Sequence, residues 1–131
     1  MKKLKLKTGI LLFTGILTLG LFYSCAHEAT GVSEIKELSF ECEVLPIFQN
    51  NCAISGCHNS SDREAELDFS NYDGIIKAVT PNEPKNSEIY NVITDMWFNT
   101  MPPSPHNVLS KEQRTKIAVW IEQGAKNTKC N

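Results

Sequence analysis

The stretch that decides the fold is Cys52-Ala53-Ile54-Ser55-Gly56-Cys57-His58. Two cysteines with a histidine directly after the second are the arrangement of covalent haem attachment: the sulfurs form thioethers to the porphyrin vinyl groups and the histidine ligates iron. Adjacency matters because the thioether fixes where the imidazole can reach. The usual spacing leaves two residues between the cysteines, and here there are four. Gly56 supplies the backbone freedom that the longer loop needs. Three other readings stay open on these residues alone. Cys52 and Cys57 can close a small disulfide loop, join His58 and His106 around zinc, or pair separately with Cys42 and Cys130. Zinc suits the pattern least, because adjacent ligands such as Cys57 and His58 are awkward for a tetrahedral site.

Haem iron takes a second axial ligand, and Met101 is the candidate. It opens the proline-rich run Met101-Pro102-Pro103 with Pro105 close behind, and proline restricts both itself and the residue before it. A His/Met pair raises the reduction potential, since soft thioether sulfur favours ferrous iron. The competing role for Met101 is a gap-filling core residue. Met96 and His106 are the runners-up. Trp97 and Phe98, just upstream, suit a wall of the cofactor crevice or the ordinary core equally well.

The oxidation state of the cysteines depends on the compartment. Lys2, Lys3, Lys5 and Lys7 precede an apolar run over Gly9 to Phe22, and Leu21-Phe22-Tyr23-Ser24-Cys25 follows. This reads as a lipoprotein leader over residues 1–24, cleaved before Cys25 so that its sulfur and amino group carry acyl chains. A plain signal peptide or short anchor helix is the simpler alternative. Residues 25–38 are polar and read as a tether, and residues 39–131 as one domain. The expectation is an exported, lipid-anchored chain on a bacterial membrane, where cysteines become disulfides or cofactor attachments. The chain has 13 basic and 15 acidic residues, and four of the lysines and no acid lie before Cys25. The mature part therefore carries about −6, which excludes a nucleic-acid partner and suits docking on a basic surface.

The rest of the domain reads as short helices. Phe40, Val44 and Phe48 recur every four residues, and Pro46 places the start of the ordered helix near Leu45. Ser70-Asn71 can cap a helix through Ile75, Ile76 and Val79, and Asn86 or Ser87 one carrying Ile89, Tyr90, Val92 and Ile93. Ser110-Lys111-Glu112-Gln113 is a capping box before Ile117, Trp120 and Ile121, and Gly124 stops that helix. No alternating strand pattern appears, so the fold class is all-α with long loops.

From about Ser39 to Asn127 the order of these segments resembles the small c-type cytochrome domains called planctomycete-type, in a version similar to bacteroidete lipoproteins. The matching stretches are Val44 to Phe48, Asn51-Cys52 through Cys57-His58-Asn59, Leu67 to Tyr72, Pro81 to Tyr90, Met101-Pro102-Pro103, and Leu109-Ser110 through Trp120 to Ala125. The resemblance implies haem c on Cys52 and Cys57, His58 as proximal ligand, Met101 as distal ligand, and a cytochrome c-like fold whose terminal helices pack together. On such a fold Cys42 and Cys130, near the two ends, are expected to form a disulfide; unpaired thiols or an interchain bond are the alternatives.

The expected function is one-electron transfer at a membrane face to an unnamed redox partner, not enzymatic turnover, because a fully ligated iron has no open position for substrate. The reading from a different class is a disulfide-stapled surface module without haem. A haem sensor or peroxidase-like site would follow if Met101 were not a ligand.

Overall fold

The computed structural model describes residues 36–95 and 97–130, so the expected leader, the lipidation site Cys25 and most of the tether lie outside the described residues, as does Met96. Within them every regular element is helical, and no helix is long and apolar enough to cross a membrane.

The first helical run is continuous but changes pitch. Phe40–Val44 forms one π turn, and α1 (Leu45–Asn51) follows without a break. The reason is Pro46, which has no N–H to give and whose ring crowds the carbonyl four residues back. A wider turn upstream relieves that crowding, with the Leu45 N–H reaching the Phe40 carbonyl. The α-helix proper starts at Leu45, while the helical path begins five residues earlier, at Phe40, after a Ser39 cap whose hydroxyl accepts from the Cys42 N–H.

Helix α2 (Tyr72–Ile75) is a single turn capped by Asn71, whose side chain accepts from the Gly74 N–H, and it runs into a 3₁₀ turn over Ile76–Ala78. Gly74 is required by close packing: a Cβ there would lie 1.6 Å from the Asp68 carbonyl oxygen. Helix α3 (Glu88–Thr94) starts after Ser87, which is fully buried and does not cap it. The Ser87 hydroxyl instead accepts from the Thr80 N–H at 2.9 Å and lies 3.0 Å from the Glu83 carbonyl, tying the preceding turn together.

Helix α4 (Lys111–Glu122) has both ends fastened. Ser110 and Gln113 exchange the two bonds of a capping box. At the other end Gly124 takes φ +93°, its N–H reaches Ile121 and the Ala125 N–H reaches Trp120, the two bonds of a Schellman stop. Helix α4 packs against both the π turn and α3. Its buried Trp120 ring lies 5.3 Å from Phe40 and 6.5 Å from Tyr72, with its indole N–H satisfied by the Lys126 carbonyl. Each such side chain contributes about 1.5–3 kcal/mol by leaving water.

The two ends of the domain are clasped beside this cluster. A disulfide joins Cys42 to Cys130. The Thr128 hydroxyl accepts from the Phe40 N–H and donates to the Leu38 carbonyl, and Lys126 pairs with Glu37 at 2.7 Å. Contacts between the termini thus begin just before Ser39.

Candidate functional site

Away from the clasp, the core opens into a cavity of about 240 Å³. Its walls are mostly apolar: Leu67 and Phe69 from the loop before α2, Ile89, Val92 and Ile93 from α3, and Pro102 and Pro103. Cys52, Cys57, His58 and Met101 all line it. Four chemically distinctive residues from two separate segments therefore meet at one apolar opening.

Cys52 occupies the C-cap of α1, its N–H bonded to the Phe48 carbonyl at 2.8 Å. Burial, reinforced by the neighbouring Cys57, pushes its thiol up to about 12, so it carries its proton at neutral pH. Cys52 and Cys57 are both free thiols, which leaves the small-loop disulfide unformed. Among the described residues no three His, Cys, Asp or Glu side chains converge as a metal site, so the zinc arrangement has no geometric support.

The loop between the cysteines is closed by the His58 N–H on the Cys52 carbonyl and the Cys57 N–H on the Ile54 carbonyl, both 3.1 Å. Gly56 turns it with φ +77°. Outside the loop, Asp62 accepts from the Gly56 N–H at 2.6 Å and from the Asn59 amide at 2.7 Å. These two donors, in that order, hold the Asp62 carboxyl below its usual value.

His58 Nδ1 lies 2.9 Å from the Glu64 carbonyl oxygen. A carbonyl only accepts, so Nδ1 carries the proton and Nε2 of the neutral ring keeps its lone pair. The ring also lies 4.8 Å from Phe69, whose N–H bonds the His58 carbonyl at 2.7 Å. The Glu64 carbonyl is aimed by a turn in which Arg63, Ala65 and Glu66 all have positive φ. The segment carrying Met101 is held by its N–H on the Val92 carbonyl, 2.9 Å. Both Met101-Pro102 and Ser104-Pro105 are cis peptides.

The other expected residues fall elsewhere. Cys42 and Cys130 belong to the terminal clasp. His106 is exposed on a separate groove that shares Pro102 and Pro103 with the cavity. Trp97 and Phe98 take neither expected place: they are 84% and 92% exposed and do not line the cavity. The Asp95 carboxylate accepts from the N–H groups of Trp97, Phe98 and Asn99, turning the chain outward there. Sequence reasoning missed the Glu64 carbonyl and the Asn59–Asp62 pair; the composition of Asn59-Ser60-Ser61-Asp62, typical of side-chain-closed turns, is the signal that pointed to the latter.

No curated protein and no solved structure matches the chain. A family model described as Planctomycete cytochrome C matches residues 55–105, a stretch that includes Cys57, His58 and Met101 and begins after Cys52. That match supports a small cytochrome c-like domain family for this chain.

Proposed function

We propose that the chain is a lipid-anchored c-type cytochrome domain that carries single electrons. Cys52 and Cys57 would hold haem c covalently, and His58 and Met101 would ligate its iron. The observation that carries this is His58: its Nδ1 is engaged by the Glu64 carbonyl, which leaves Nε2 as a lone-pair donor beside an apolar cavity lined by two free thiols and a thioether. This is the backbone-oriented imidazole that metal-ligating histidines use, with the second bond fixing tautomer and ring plane.

The residues fit the group in other respects. A largely apolar cavity suits a flat hydrophobic macrocycle, and Cys52 and Cys57 are both free thiols, as thioether formation requires. When bound, the iron supplies the one-electron chemistry, and the chain's own part is to orient, ligate and shield it. With His58 and Met101 both holding the iron, no position would be left for a substrate, and the domain would act as a carrier and not as an enzyme. The expected anchor at Cys25 would hold it at a bacterial membrane, with the acidic mature domain free to meet a basic redox partner.

The test is the mass and spectrum of the exported domain produced in a host that matures c-type cytochromes. The expected product weighs polypeptide plus one haem, resists acid-acetone extraction, and shows a low-spin spectrum that changes on reduction. A colourless product with the mass of the polypeptide alone overturns the reading and favours a disulfide-stapled binding module instead.

A further inference from the structure

We infer that Asp62, acting through Asn59 and the Gly56 N–H, is the positioning residue that lets the widened cysteine loop form its second thioether, at Cys57. The inference rests on the haem reading and deepens it.

Each attachment is an addition. The sulfur bonds to one vinyl carbon, the thiol hydrogen ends on the other, the C=C bond is consumed, and nothing is oxidised or reduced. Both additions succeed on one rigid macrocycle only if the two sulfurs are held at a matching separation. Four intervening residues give the loop more conformations than two would. Its internal bonds, His58 N–H to Cys52 and Cys57 N–H to Ile54, fix its ends and leave Ser55 and Gly56 to be set from outside.

The external brace is a closed set of contacts. One Asp62 oxygen accepts from both the Gly56 N–H and the Asn59 amide. The same amide donates to the Ile54 carbonyl at 3.0 Å. The Asn59 carbonyl oxygen accepts from the Ser61 and Asp62 N–H groups at 2.8 Å, which locks the brace onto the chain just past His58. Gly56, at φ +77°, has nothing within 4 Å of where a Cβ would stand, so no neighbour presses on that side of it. Its hydrogen bond to Asp62 is what sets its place, and Cys57 is the next residue.

The test is Asp62→Ala in the exported domain, matured as above. Single and double attachment have the same mass, so the readouts are alkylation of free thiols in the denatured, non-reduced protein and the pyridine haemochrome band, which reports how many vinyl groups remain. Wild type is expected to show neither Cys52 nor Cys57 alkylated. The variant is expected to carry haem with Cys57 alkylation raised about fivefold over background, the population change expected when the bond that holds Gly56 is lost, and a red-shifted band. Asp62→Asn, which keeps an acceptor for the Gly56 N–H, is expected to fall between. Double attachment in Asp62→Ala as complete as in wild type overturns the inference alone, as does a free Cys57 in wild type. Wild type without haem overturns the functional reading beneath it.

Discussion

The imidazole Nδ1 of His58 lies 2.9 Å from the carbonyl oxygen of Glu64, so the ring's orientation is set by backbone and not by a side chain. The neutral ring is therefore the Nδ1–H tautomer in the polypeptide before haem addition. Nitrogen-15 NMR of the labelled histidine is expected to find Nδ1 protonated and Nε2 bare. The Glu64 carboxylate is dispensable: Glu64→Ala keeps the carbonyl and is expected to leave the spectrum of the matured protein unchanged. A population dominated by Nε2–H contradicts the geometry.

That contact shows where the sequence stopped being legible. Cys52, Cys57, His58 and Met101 announce themselves because each is chemically rare and the spacing is tight. The ends of α4 are equally plain, since Ser110, Gln113 and Gly124 act within one turn of where they stand. The Glu64 carbonyl is invisible, because every residue has one and its aim depends on Arg63, Ala65 and Glu66 adopting positive φ, which their types disfavour. Ser87 looked like a helix cap and is a buried tie to Thr80, because tertiary contact outbid the local option for its hydroxyl. Trp97 and Phe98 read equally as crevice wall or as core, but the three N–H groups gathered by Asp95 turn them outward.

The terminal disulfide closes a loop spanning 88 positions. In the chain-entropy description a cross-link of this length stabilises by about 4–5 kcal/mol, and removal of native bridges from small domains costs about 2–5 kcal/mol. Replacing Cys42 and Cys130 together by serine is expected to lower the urea midpoint accordingly. The haem spectrum of the native protein should persist, because the bridge lies at the clasp and not at the cavity. A double variant as stable as wild type shows that Thr128 and the ion pairs alone hold the ends.

Gly74 predicts a loss that crosses from stability into the site. Any side chain there meets the Asp68 carbonyl, and the next residue, Phe69, holds the His58 carbonyl through its N–H. Gly74→Ala is expected to cost about 1–3 kcal/mol by overpacking and to lower the yield of haem-bearing protein. Thermal melting and the haem-to-protein absorbance ratio measure the two effects. Wild-type values for both show that α2 shifts freely against the Asp68 segment.

Before haem attachment, Cys52 makes stability depend on alkaline pH. Burial first, and Cys57 second, raise its thiol from 9.0 to about 12 in the folded chain. Below pH 9.0 the thiol is neutral in both states and its contribution is fully present. As pH rises further the unfolded chain ionises first, so stability falls until the folded thiol ionises near 12. Cys52→Ala in the haem-free protein is expected to flatten this decline in urea midpoints. Iodoacetamide should also label Cys52 slowly in the native haem-free chain, since the thiolate is the reactive form. Rapid native labelling of Cys52 and an unchanged alkaline decline in the variant contradict this placement.

On the proposed function, replacing Met101 would separate a filled iron coordination shell from an open one. Its N–H is fixed to the Val92 carbonyl and Pro102 follows directly, so little but the side chain itself is free to move. Met101 is 37% exposed and lines the cavity, so it reaches both the proposed haem site and solvent. Met101→Ala is expected to leave haem attached, since neither thioether depends on it. It should let carbon monoxide bind the reduced protein, which wild type is expected to resist, and lower the reduction potential by on the order of 100 mV, within the roughly 0.8 V that axial ligands span. Met96→Ala serves as the contrast and is expected to change neither property. If the two variants exchange behaviour, the sulfur on the iron belongs to Met96 and the proline-rich loop serves only as a wall. If wild type itself binds carbon monoxide, the sixth position is open and a sensor or peroxidase-like role replaces simple electron carriage.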